Sequence, residues 1–211
     1  MINEKYNQKY LKSIREEFNR KINFKEKYAA YVNKTAKTVF SSGALDNSFY
    51  GLYEPHEDLK MLFDHTRLGT VTTDGKNIDF KYYLDRDGNV LMTERYDPTS
   101  QYPDKLVNTI FVEYKKRQVN AIFCKGKTGN ISTIAQCKLD LFDRLIRYVE
   151  CTVGVDEYPY VYSVTRFKRA LGRVKIKRSV YSIWQEGDKT LLSEKEYVYA
   201  FGKLREKANH N

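Results

Sequence analysis

The chain has 211 residues, enough for one large domain or two small ones with a substantial core. A hydrophobic fraction of 41% and a charged fraction of 30% exclude a disordered chain, and no apolar run approaches the roughly 20 residues of a membrane helix. The net charge of +10 is uneven: residues 1–50 carry +5 (10 basic against 5 acidic), 51–100 carry −4 (6 against 10), 101–150 carry +4 (9 against 5) and 151–211 carry +5 (12 against 7).

The N-terminus reads Met1-Ile2-Asn3-Glu4-Lys5-Tyr6 and has no apolar leader core, so a cytoplasmic location is expected. Residues 1–43 read as helix. Tyr6, Tyr10, Ile14, Phe18 and Ile22 recur every four positions between polar residues. Asn23 with Glu26 has the form of a capping box, so either a second helix begins there or one bent helix runs on; in both cases helical spacing continues through Tyr28, Tyr31, Val32 and Val39 to Phe40, where Ser41-Ser42-Gly43 stops it. Residues 44–67 are irregular, with Pro55 placed to open a short helix.

From Leu68 to about residue 203 the chain alternates aromatic or apolar with charged residues, the period of a strand with one wet face. Eighteen Tyr and eleven Phe suit that pleated surface. Leu68–Thr72 turns at Asp74-Gly75 into Ile78–Leu84, which turns at Asp85-Arg86-Asp87-Gly88 into Val90–Tyr96. Residues 131–150 fit two readings. As strands, the run Thr109–Tyr114, Val119–Cys124 and Ile131–Gln136 continues. Read as helix, Ile134, Cys137, Leu141, Leu145 and Val149 share a face, with Asp140–Arg144 and Asp143–Arg147 as ion pairs. The reading leans to the helix for 138–150. Tyr158–Val164, Arg173–Trp184 and Tyr197–Phe201 read as strands, and Lys203–Asn211 as a polar tail. The expected class is α+β: one domain over 1–211, with N-terminal helices packed on a curved, mainly antiparallel sheet over 68–203.

No motif names a catalytic group, a metal or a cofactor. Cys124, Cys137 and Cys151 are spaced 13 and 14 apart, which suits neither zinc nor redox pairing and reads as free buried thiols. Asp85, Asp87, Gly88, Val90 and Glu94 match part of a calcium loop, but Tyr83 stands at its first position, so a hairpin turn is the better reading. Ala121-Ile122-Phe123-Cys124-Lys125-Gly126-Lys127-Thr128 loosely fits a phosphate-loop pattern with Ala in the first glycine position, yet Ile122 and Phe123 would occupy the loop, so Gly126 to Gly129 reads as a solvated turn.

Two clusters remain as partner-binding candidates. Glu54, His56, Glu57, Asp58, Asp64 and His65 form an acidic patch that contains two of the three histidines. Arg166, Lys168, Arg169, Arg173, Lys175, Lys177 and Arg178 are seven cations with no acid between them, and Tyr160 and Tyr162 lie alongside. Such a surface can contact phosphates and stack bases, or simply be the wet face of an amphipathic sheet.

The stretch over roughly 68–150, in particular Tyr83-Leu84-Asp85-Arg86-Asp87-Gly88-Asn89-Val90 and Phe142-Asp143-Arg144-Leu145-Ile146-Arg147-Tyr148-Val149-Glu150, resembles small bacterial immunity-type proteins that neutralise toxins of polymorphic secretion systems. That resemblance implies a cytoplasmic, non-enzymatic protein binder with no cofactor and a toxin domain as partner. The positive net charge departs from an inhibitor of basic nucleases, which would be acidic. The alternative is a nucleic-acid-binding protein using the basic, tyrosine-rich sheet face, and a third reading is an enzyme acting on a phosphorylated substrate. No membrane partner is expected.

Overall fold

Turn chemistry organises this chain. In the computed structural model, residues 16, 22–42, 70–72, 78–96, 106–153, 160–183, 189–201 and 203–206 are described. They form one helix, α1 (Phe24–Lys34), and twelve strands: β1 (Lys37–Ser42), β2 (Thr70–Thr72), β3 (Phe80–Leu84), β4 (Val90–Tyr96), β5 (Leu106–Lys115), β6 (Gln118–Lys125), β7 (Ile131–Leu139), β8 (Leu145–Val153), β9 (Tyr160–Ala170), β10 (Arg173–Ile183), β11 (Lys189–Ala200) and β12 (Lys203–Glu206). All strands join a single antiparallel sheet in the order β12-β11-β10-β9-β8-β7-β6-β5-β4-β3-β1-β2. From β3 to β12 each strand pairs with its chain neighbour, a continuous meander.

The α+β expectation is corrected: the described chain is nearly all antiparallel sheet with one eleven-residue helix. The capping box does form, with Asn23 Oδ1 accepting from Glu26 N at 3.3 Å. The helix ends at Lys34, six residues short of the expected Phe40. Thr35 turns extended, and Val39 and Phe40, β-branched and aromatic, pair in β1 instead. Strand β1 also displaces the expected Leu68–Leu84 hairpin. It sits between β2 and β3 and pairs with both, Phe40 opposite Thr72 on one side and Lys81 on the other. The Asp74-Gly75 turn lies outside the described residues.

Residues 138–150 form a hairpin, not a helix. Asp140 Oδ1 accepts from the backbone amides of Phe142 and Arg144, and Asp143 takes a left-handed φ of 55°. Leu141, assigned to the apolar helix face, is 70% exposed at the tip. The Asp140–Arg144 ion pair exists, but it closes this turn. Likewise Lys203–Glu206, read as tail, pairs with β11.

The register fixes two faces. One carries Tyr83, Met92 and Phe111, on which Phe24, Tyr28 and Tyr31 of α1 pack; Tyr31 meets Phe111 edge-on at 5.1 Å between ring centres. We call it the helix face. The opposite face holds the larger core. There Ile110, Val119, Ala121, Phe123, Ala135, Cys137, Leu145, Phe167 and Ile176 form one cluster that reaches Tyr197, Tyr199 and Leu204. In β7 the alternation is complete: Ile131, Thr133, Ala135, Cys137 and Leu139 are buried, and the residues between them face the other way.

Candidate functional site

Two constellations on the helix face carry chemistry. The first lies under α1. Glu94 is 2% exposed. Its Oε1 accepts from the Tyr28 hydroxyl at 3.0 Å, and its Oε2 from Tyr83 at 2.8 Å and Tyr96 at 2.9 Å. Lys81 Nζ stands 3.9 Å away and 4.7 Å from the Tyr83 ring centre. A buried carboxylate needs partners of this kind, and here it has them. Burial and the adjoining Tyr28 and Glu94 push the Tyr83 phenol far above its ordinary range, and burial raises Tyr28. Neither phenol exchanges protons near neutrality, so the cluster works as an anchor that fixes α1 to β3 and β4. Glu94 is thus engaged away from the calcium-like loop. In that loop Asp85 Oδ1 takes the amides of Asp87 and Asn89, an ordinary hairpin cap that holds its carboxyl below the usual range, with the Asn89 side chain the main cause.

The second constellation is the far half of the helix face, across β7 to β12. Alternation places Arg166 and Lys168 of β9 and Arg173, Lys175 and Lys177 of β10 together on it. The register adds cations that the sequence left separate. Lys138 lies opposite Arg147, Arg147 opposite Arg166, and Arg166 opposite Lys177. These four stand in one row across four strands. Lys168 lies opposite Lys175, and Lys203 and Arg205 of β12 extend the same face. Among the described side chains, β7 to β12 place these nine cations on this face against two acids, Glu194 and Glu196, so seven of the chain's ten net positive charges gather there. Like charges directly opposite one another on neighbouring strands are destabilising. Strand β11 relieves this in part: Lys177 binds Glu194 and holds its carboxyl below the ordinary range. Arg166, Lys168, Lys175, Lys177, Glu196 and Val198 line an open groove of about 210 Å³. Towards β6 the face continues as amides: Gln118 and Gln136 both donate to Asn120 Oδ1, at 2.7 and 3.3 Å.

Not every expected residue joins. Arg169 and Arg178 point to the opposite face, where Arg169 donates to the Leu145 carbonyl at 2.6 Å. Tyr162 is on the cationic face but only 2% exposed and leans on Tyr181, so it cannot stack a partner; burial raises its phenol. Tyr160 is the first residue of β9, opposite Ile183. Glu54, His56, Glu57, Asp58, Asp64 and His65 lie outside the described residues. Cys124, Cys137 and Cys151 are free and buried, and burial pushes Cys124 up to about 11 and Cys151 up to about 12. Gly126–Gly129 is a turn in which Thr128 Oγ1 donates to the Lys125 carbonyl at 2.6 Å, and Gly129 is packed against Ile22 backbone. Among the described residues no group of histidine, cysteine and carboxylate side chains could hold a metal ion, and no helix is long and apolar enough to cross a membrane.

No protein-family model matches the chain, and neither does any curated protein or solved structure.

Proposed function

We propose that the chain is a non-enzymatic binding protein whose working surface is the cationic half of the helix face, and that this face takes the phosphate backbone of a nucleic acid. The observation that carries the proposal is the row Lys138–Arg147–Arg166–Lys177 with the pair Lys168–Lys175 beside it. A sheet under no demand beyond folding would alternate signs across strands, as β10 and β11 do at Lys177 and Glu194. Polyanion binding gives the opposite arrangement a use, because each phosphate neutralised releases counterions. Lysine is depleted at protein–protein interfaces, and the buried Tyr162 cannot serve as their usual aromatic anchor. Contacts of this type position a backbone and do not read sequence. Three buried free thiols suit a reducing, cytoplasmic setting.

A second reading keeps the immunity-type role, in which the partner is an acidic toxin domain. The glutamates at the β11 border favour it, since mixed charge at a rim is how protein partners fix register. Competition separates the two. Binding to oligonucleotides at about 150 mM salt that is clearly tighter than the non-specific range of roughly 10⁻⁴ to 10⁻⁶ M supports the first reading. Binding no tighter than that range removes it.

A further inference from the structure

The odd-to-even hairpins of a meander all turn at one end of the sheet, so the loops β3–β4, β5–β6, β7–β8, β9–β10 and β11–β12 form one rim. A two-residue hairpin loop with positive φ at its centre takes Asn or Gly there, because other side chains crowd the backbone. The β9–β10 loop is instead Leu171, at φ 49°, with Gly172 at φ 73°. The β11–β12 loop begins at Phe201, at φ 51°. Leu171 is 100% exposed and Phe201 95%, so neither apolar group gains anything from the fold, and neither suits its turn. The β7–β8 loop adds Leu141 and Phe142, both largely exposed. With strands about 4.8 Å apart, neighbouring tips on this rim stand about 10 Å apart. Cations follow directly behind the tips. The Arg144 guanidinium lies 4.9 Å from the Phe142 ring centre, Arg173 and Lys203 are the first residues of β10 and β12, and Lys168 and Lys175 form the next exposed pair inward. The acids of these loops are Asp140, which is ion-paired with Arg144, Asp143, and, in the β3–β4 loop away from the apolar tips, Asp85 and Asp87.

The geometry points to this rim as a docking edge for an anionic bilayer surface: the apolar tips enter the interfacial layer, and the cations behind them meet lipid phosphates. Separate apolar tips in a row leave no continuous patch for a protein pocket to enclose, whereas an interfacial layer accepts each one independently. The basic residues at the level of the headgroups supply the charge complementarity. The inference rests on the tips and not on the nucleic-acid reading of the face.

The test is co-sedimentation with vesicles of phosphatidylcholine, with and without phosphatidylserine, comparing the wild type with Leu171→Asn/Phe201→Asn. Asn suits the left-handed turn positions, so this variant should melt no lower than the wild type. The wild type should bind the anionic vesicles and not the neutral ones. The variant should bind them on the order of 10²-fold more weakly, since two apolar side chains no longer leave water. Its binding to oligonucleotides should be unchanged. Absence of vesicle binding by the wild type overturns the inference, and so does equal binding by the variant. A wild type that dimerises through this rim, with a monomeric variant and no vesicle binding, also overturns it and names a second copy as the occupant.

Discussion

Replacing Glu94 with Ala should be among the most damaging single changes in the sheet. The carboxylate is 2% exposed and accepts three tyrosine hydroxyls at 2.8 to 3.0 Å. Each hydrogen bond to a charged group contributes about 1.5–3 kcal/mol, and the substitution removes all three together with the nearby Lys81 charge pairing. Tyr28 and Tyr83 keep each other, at 2.9 Å, which softens the loss. Removing one member of a buried ionic network costs about 3–5 kcal/mol, and we place Glu94→Ala near the lower end of that range. For a chain of this size about 2–4 °C of melting temperature accompanies each kcal/mol, so the expected drop is on the order of 10 °C. Urea unfolding gives the free energy directly. Tyr28→Phe removes only the hydroxyl that α1 contributes and should cost about 1 kcal/mol, with faster proteolysis within α1. A Glu94→Ala variant within about 1 kcal/mol of wild type would refute the reasoning, as would a Tyr28→Phe variant equally destabilised.

Gly129→Ala should destabilise by about 1–3 kcal/mol, because a Cβ there would collide with the Ile22 carbonyl oxygen, a backbone atom that cannot swing aside. An unchanged urea midpoint would contradict that packing. Stability should also fall at alkaline pH, and the sign follows from the thiols: Cys124 and Cys151 are raised by burial from 9.0 to about 11 and about 12. Below pH 9 they are protonated in both states; above it the unfolded chain ionises first, so stability is lost as pH rises towards 12. Tyr28, Tyr83 and Tyr162, all raised mainly by burial, add to the loss above the ordinary phenol value of 10.0. A urea midpoint that holds steady or climbs from about pH 8 to about pH 10.5 would contradict this.

Period-two alternation made most of the sheet legible, because each strand has one buried face and the Asp-Gly turn at Asp87-Gly88 marks its hairpin plainly. Lys37–Ser42 was hidden by the helix before it: Val39 and Phe40 extend a helical spacing as readily as they start a strand. Residues 138–150 match helical spacing because Ile146 bulges from β8 (Lys138 pairs with Arg147, but Leu139 with Leu145) and breaks the alternation there. Read as helix, that run conceals half of the cationic row, since Lys138 and Arg147 join Arg166 only when both lie on strands. The seven-cation run was visible as composition, but which members share a face was not. Alternation alone sets adjacent Arg178 and Lys177 on opposite faces, but the register between β9 and β10 is needed to show that Arg166 and Lys168 share the face of Lys175 and Lys177. The Glu94 anchor was beyond reach, because Tyr28 lies 66 residues away in sequence.

The most direct test of the central claim is the salt dependence of oligonucleotide binding by the wild type and by Lys168→Gln/Arg173→Gln/Lys175→Gln. These three side chains are exposed and carry no packing role on the cationic face. If they neutralise phosphates of a duplex, the slope of log K against log salt should be shallower in the variant by about 3, at roughly 0.9 per contact. The wild type should still bind clearly tighter than roughly 10⁻⁴ to 10⁻⁶ M at about 150 mM salt. Equal slopes for the two proteins, or wild-type affinity no better than that range, would contradict the account.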